Sequence, residues 1–398
     1  MSLRRRVRQY LAELLPHWFA LLAALLDRRG IWPQRAVIHA AERANAAPSD
    51  DALQYRVLRE PVPIPPVDVA IVDEQSPATA RYCAMHATWG GSHTARAGII
   101  TAHDVRVSMP TGMHRFRRRI LGEGVLGLNA LQNPKYVVAF AAMAVLGATE
   151  LAEGVLLALP WNHNFYHWLI EMLPRLQLVE EMPELQQLPL LVPASAPAFV
   201  HDSLQLTGYA DRALHLEDGV YRAETLHIPS RLAPASDVSP LAVEWLDRHF
   251  PHAPVRGRRL YISRGDASVR YVANDHAVSQ MLEDEFGFET LVMSELSLED
   301  QVRAFREATV VIGAHGAAFA HVAFSPPGAT LIEIFQDGHF NHCYGHMAAI
   351  RDVRYGFLVA ERHGLGMEVD LDALRRVTRR ALLQDAVDAA PSHRQPSR

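Results

Sequence analysis

The sequence predicts an α/β protein whose parallel sheet carries helices on both faces, and two observations support this. From Arg258 onward, short β-branched apolar runs alternate with helical segments, and parallel strands need crossovers that lay helices on the sheet. The chain is also 398 residues long, with 49% hydrophobic and 21% charged residues. That is an ordinary globular balance and more length than one core usually organises, so two domains are expected.

Residues 1–60 are expected as a helical appendage and linker. Basic residues from Arg4 to Arg8 precede the apolar stretch His17 to Leu26, but Glu13 and Pro16 interrupt it. Asp27-Arg28-Arg29 stands where a signal peptide would place small residues. The apolar part is far short of the roughly 20 residues that span a bilayer. An amphipathic helix docked on the protein or a partner fits best, and its basic flank would also suit peripheral attachment to the inner face of a membrane. The net charge of -5 gives no reason to expect nucleic acid as a partner, and the basic runs Arg4 to Arg8 and His114 to Arg119 read as solvated surface. Cys83 and Cys343 are the two cysteines, too few and too far apart for a disulfide framework or a cysteine zinc site, so a cytoplasmic location is expected. No feature of the sequence fixes an oligomeric state.

The Pro-rich segment "REPVPIPPVD" (Arg59 to Asp68) connects the appendage to residues 61–238, the first main domain. Val67 to about Val155 reads mostly as strands and turns. A buried strand at Gly154 to Pro160, a helix and an apolar run at Leu188 to Val192 follow. The stretch Pro229 to Pro240, a helix at Leu241 to Phe250 and "PHAPVRG" mark the boundary to residues 239–398. There the order is regular: strand Arg258 to Arg264, helix Asn274 to Phe286, strand "ETLVM", helix Leu298 to Glu307, strand Thr309 to Ala314. Strand Thr330 to Phe335, helix Asn341 to Arg351, strand Tyr355 to Ala360 and a helix from Asp370 complete it. In such sheets ligands bind beyond the carboxyl ends of the strands.

Four stretches could carry chemistry. In "NHNFYHWLIEMLPRL", Phe165, Trp168, Leu169, Met172, Leu173, Leu176 and Val179 form one helical stripe, a buried face. His167, Glu171 and Arg175 form a polar column at spacing four, a pattern that a solvated face would also show. Pro174 inside the helix costs about 3 kcal/mol, which something must offset. Asn162, His163 and Asn164 precede the first turn, where Asn can cap and where polar side chains could line a cleft. His163 and His167 could share an ion at i,i+4, and "HFNHCYGH" adds histidines, but no carboxylate pattern accompanies them, so no metal is expected.

In "YISRGDASVR", Arg264 and Arg270 follow a buried strand, where two guanidinium forks suit a phosphate or diphosphate. In "VVIGAHGAAFAHVAF", Gly313 and Gly316 let backbone approach a ligand, His315 projects from the turn, and the amides from Ala317 on point their dipole at whatever sits there. This is neither a Walker loop nor GxGxxG. Glu333, in "TLIEIF", is a charge inside an apolar strand. It needs a partner or must emerge at the strand end, where ribose hydroxyls would suit it.

These four segments in this order, spanning about Gly154 to Arg354, resemble glycosyltransferase family 61, including bacterial members associated with capsular polysaccharide synthesis. The resemblance implies a GT-B architecture, two Rossmann-like domains facing across a cleft with the nucleotide sugar held mainly by the second. It also implies inverting transfer from a UDP-sugar to a hydroxyl acceptor such as a glycan, usually with no essential metal. On that footing Arg264, Arg270 and the amides after His315 stabilise the leaving diphosphate, and Glu333 reads the ribose. His167 is the base, with Glu171 as rival, and Asn162, His163, Asn164 and Arg175 line the acceptor side. A non-catalytic nucleotide-binding module and a metal-assisted hydrolase are the competing classes.

Overall fold

The computed structural model describes residues 37–38, 52–88, 93–117, 119–121, 134–234, 237–255 and 257–389. The expected N-terminal amphipathic helix and the basic run at Arg4 to Arg8 therefore lie outside the described residues. Within them the chain is a mixed α/β structure with two sheets.

The later sheet follows the sequence closely. Strands Arg258–Ser263, Glu289–Val292, Ala308–Ala314, Thr330–Gln336 and Arg354–His363 pair in parallel. Numbered along the chain, these five lie in the spatial order 2-1-3-4-5. One face, carrying Tyr261, Ile312, Ile332 and Leu358, is covered by the helices Asp275–Phe286 and Leu371–Ala389. The other, carrying Leu260, Val311, Leu331 and Phe357, packs under Leu298–Glu307 and Cys343–Ile350. Chain direction across the sheet reverses between the first and third strands, so the crevice beyond their carboxyl ends is the topological switch point. One strand comes from far upstream: Val69–Val72 pairs in parallel with Arg354–His363, and the helix Thr79–Thr88 follows it, with Tyr82 against Phe335.

The earlier sheet is mixed. The long strand Ala97–Met109 pairs antiparallel with Leu53–Arg59, Met113–Phe116 and Gly219–Pro229. Parallel pairing is confined to its other side, through Thr149–Leu156, Leu190–Pro193 and Ala213–Leu216, and at the Val37–Ile38 edge. Where the resemblance implies a Rossmann-like half, an antiparallel portion thus stands beside a short parallel one.

A helical run from Phe165 to Glu180 joins the sheets through one shared core. Trp168, Leu169, Met172, Leu173, Leu176 and Val179 are each at most 1% exposed, as the stripe required. The run is not uniformly α-helical. His167–Met172 is wound as a π-helix, with the Leu173 amide reaching back to Trp168 O, and Leu173–Arg175 tightens to 3-10 geometry before Leu176–Glu180 continues as α-helix. The change of winding absorbs Pro174, which can neither donate a backbone bond nor sit in a regular helix without clashing with the carbonyl four residues back.

Candidate functional site

The two strands flanking the switch point end in Ser263 and Ala314, and the next residue of each belongs to the site. Ser263 donates to Asp275 Oδ2 at 2.7 Å and Tyr261 donates to Asp275 Oδ1 at 2.6 Å, fixing the start of the loop against the following helix. Arg264 then folds over its own loop, donating from Nε to Arg270 O at 3.2 Å and from Nη2 to Val269 O at 3.0 Å. Its Nη1 lies over the neighbouring strand end, so that a β-carbon built on Gly316 would stand 1.7 Å from it. Gly316 is extended at φ −178°, so the glycine is needed for space and not for backbone freedom. Arg270 does need unusual backbone, with φ +54°, a left-handed geometry held by its amide bond to Leu365 O at 2.6 Å. Burial, followed by the charge of Arg270, pushes Arg264 below the ordinary guanidinium range. His339, beside His315, is pushed down to about 4 by burial, then by His315, Arg270 and Arg362. Positive charge is packed closely here, and an anion would relieve it.

His315 sits in the turn after Ala314, but the structure assigns Glu333 a different place from the sequence expectation. Glu333 is fully buried. It bonds His315 Nδ1 through Oε1 and accepts from Tyr355 Oη at 2.6 Å through Oε2. Ribose recognition by Glu333 is therefore corrected: both its oxygens are taken inside the protein, and it holds the imidazole of His315. Gly313 is also reassigned, because a β-carbon there would meet Ile262 O at 2.8 Å and Phe319 Cζ at 3.2 Å. It is buried strand packing.

The helical run, of which Phe165 lines the cleft beside Arg264, carries the remaining candidates. Asn164 Oδ1 accepts from the amides of Tyr166 and His167 at 3.0 and 3.3 Å, the expected capping role. Asn162 is buried and donates to Pro110 O and Leu159 O, so it shapes the loop. His163 is exposed next to Trp161. His167 Nδ1 bonds Glu171 Oε2 at 2.9 Å, and the other carboxylate oxygen lies 3.6 Å from Arg231 Nη2. The imidazole keeps 28% exposure while the carboxylate keeps 6%, so the column dives inward. Arg175, at its end, is fully buried and donates to the carbonyls of Met172, Pro229 and Leu157. It ties three segments together and lines no cleft, which corrects that expectation. Tyr166 meets Tyr344 edge to face at 5.6 Å, and Tyr344 meets His315 at 5.1 Å, so one ring bridges the neighbour of His167 to the turn after Ala314.

The cleft measures about 520 Å³, within the range of small-molecule sites. Phe165, Phe199 and Asp202 line it together with Arg264, Ala317 and Ala318, whereas His167, Glu171, Arg270, His315 and Gly316 are not among its lining residues. The segment Met293–Leu298 also lines it, and sequence reasoning passed it over. Its signal was Ser297, whose Oγ accepts from the amide of Asp300 at 3.2 Å to cap the helix Leu298–Glu307. The potential metal ligands that the fold gathers among the described residues are Asp237, His342 and His346, and neither His163 nor His167 is among them.

The chain matches the family Glycosyltransferase 61 over residues 165–332, which begins at the helical run and ends on the strand of Glu333. It is 43% identical over 53 residues to a beta-1,2-xylosyltransferase of Arabidopsis thaliana, a match covering 12% of this chain and 10% of that protein. It is 31% identical over 100 residues to an EGF domain-specific O-linked N-acetylglucosamine transferase of Drosophila melanogaster, covering 25% of this chain and 19% of that one. The chain thus spans under a fifth of the length of either relative. The segments that line the cleft fall inside the matched region, and residues 165–332 carry a glycosyltransferase 61 domain.

Proposed function

We propose that this protein is an inverting glycosyltransferase of GT-B type that moves a sugar from a nucleotide sugar, a UDP-sugar, to a hydroxyl on a glycan or polysaccharide precursor. The family match and two glycosyltransferase relatives support the class. The observation that carries the mechanism is the guanidinium of Arg264 seated on Gly316. It brings an arginine fork and the amides of Ala317 and Ala318 to one wall of the cleft, where a departing diphosphate needs positive electrostatics. Arg270 adds charge from the same loop, and the Met293–Leu298 segment offers a wall to the nucleoside.

Inversion requires one in-line displacement. The acceptor oxygen bonds to the anomeric carbon as the bond from that carbon to the diphosphate oxygen breaks, and the acceptor proton passes to a base. His167 suits the base. Glu171 occupies Nδ1, so Nε2 is the nitrogen offered to the acceptor, and the buried carboxylate fixes the ring and stabilises the imidazolium that forms. Glu171, engaged by His167 and Arg231, is a positioning residue on this reading. Transfer needs no essential metal, because arginines and amides carry the leaving-group charge, and we place it in the cytoplasm. Incubation with a panel of UDP-, GDP- and CMP-sugars should give slow release of UDP from one UDP-sugar, quenched by His167→Ala. UDP binding without turnover of any donor would instead make the chain a nucleotide-binding module.

A further inference from the structure

Apart from the cleft, a buried group of side chains has the composition and spacing of a cation site. His342 and His346 lie one helical turn apart at the start of Cys343–Ile350. Asp237 reaches them from the connector that runs between the two sheets, the source of the carboxylate that the histidine-rich stretch lacks in sequence. Asp237 Oδ1 is 3.2 Å from His342 Nε2 and 3.5 Å from His346 Nδ1, and the ligand atoms of all three residues lie within 4.8 Å of one another. All three are buried, at 9%, 4% and 0% exposure.

The spacing is informative. Two ligands each about 2.05 Å from a tetrahedral zinc ion stand about 3.3 Å apart, and the observed separations fall on either side of that value. Two imidazole nitrogens and one carboxylate oxygen are also a borderline-soft donor set that suits zinc better than calcium or magnesium. Beside Asp237, a cavity of about 10 Å³ lined also by Glu171, Arg231 and Ser239, but by neither histidine, is about the size of one water molecule.

We infer that Asp237, His342 and His346 form a zinc site that pins the inter-sheet connector to the helix Cys343–Ile350, its fourth position left to a non-protein ligand. Asp237 shares a small cavity with Glu171, but the test reads metal content and melting temperature and so does not depend on the proposed activity. The full chain, purified, equilibrated with zinc and gel-filtered, should retain about one zinc per chain by mass spectrometry. Asp237→Asn, which keeps the side-chain shape, should retain roughly tenfold less. Chelator should lower the melting temperature of the wild-type chain and zinc should restore it, while Asp237→Asn responds to neither. Cobalt(II) in place of zinc should give the visible absorption of a tetrahedral site. Failure of the wild-type chain to retain zinc, equal retention by Asp237→Asn, or a melting temperature indifferent to chelator would each overturn the site.

Discussion

Replacing Gly316 by alanine tests the leaving-group wall at one atom. The new methyl would stand 1.7 Å from Arg264 Nη1, so the guanidinium must move. The backbone at Gly316 is extended and accepts any residue, and the obstructing atom is the end of a flexible side chain, so the fold should lose little. What is lost is the placement of one charged fork. A hydrogen bond to a charged group contributes about 1.5–3 kcal/mol, which predicts UDP binding weaker by roughly 10- to 150-fold. Calorimetric titration of UDP against Gly316→Ala, Arg264→Ala and the double variant reads this directly. Because the methyl acts only through Arg264, the double variant should bind no more weakly than Arg264→Ala alone. Unchanged affinity in Gly316→Ala would refute the geometry, and so would a further loss on adding it to Arg264→Ala.

The helical run gives two more expectations. His167→Ala should lower kcat by about 10² to 10⁴ with UDP affinity nearly unchanged, and Glu171→Gln should lower kcat by a smaller factor; parallel loss of binding in His167→Ala would contradict the assignment. Trp168 is fully buried and donates from Nε1 to Ser203 Oγ at 2.8 Å, so Trp168→Ala should cost about 3–5 kcal/mol in urea unfolding. The buried histidines set an acid limit. Burial holds His114 and His321 at about 4, against 6.5 when unfolded. The unfolded chain therefore binds more protons between those values, and stability present above pH 6.5 falls as pH drops toward 4. Each group should contribute about 2 kcal/mol of loss between pH 7 and 5, and His114→Leu should flatten the dependence measured by urea midpoints.

The later sheet was legible because each of its strands is a short apolar run closed by turn residues. The predicted helix Leu298 to Glu307 and the start of the strand at Thr330 match the structure residue for residue. Val69–Val72 escaped, since nothing local says that a strand far upstream will pair with Arg354–His363. The helical run at Phe165 showed its buried stripe plainly, but not its change of winding at Pro174. Asp237 joins His342 and His346 across more than a hundred residues, a contact that no periodicity encodes.

Glu333 shows most clearly where such reasoning stops. A carboxylate within "TLIEIF" was legible as an anomaly, because an unpaired buried charge costs several kcal/mol. The partner was not, since His315 and Tyr355 become neighbours only through the parallel register that sets Gly313 beside Glu333 and Glu333 beside Phe357. Read locally, the charge had to look outward for a ligand. Placed in the sheet, it looks sideways, and its value to the site is indirect. With one oxygen bonded by Tyr355 of the adjacent strand and the other by His315 of the turn after Ala314, Glu333 fixes the ring of His315 against Phe335. The residue that opens the turn before Gly316 is thereby held rigid, so the amides and the arginine facing the cleft are set in place before any anion arrives.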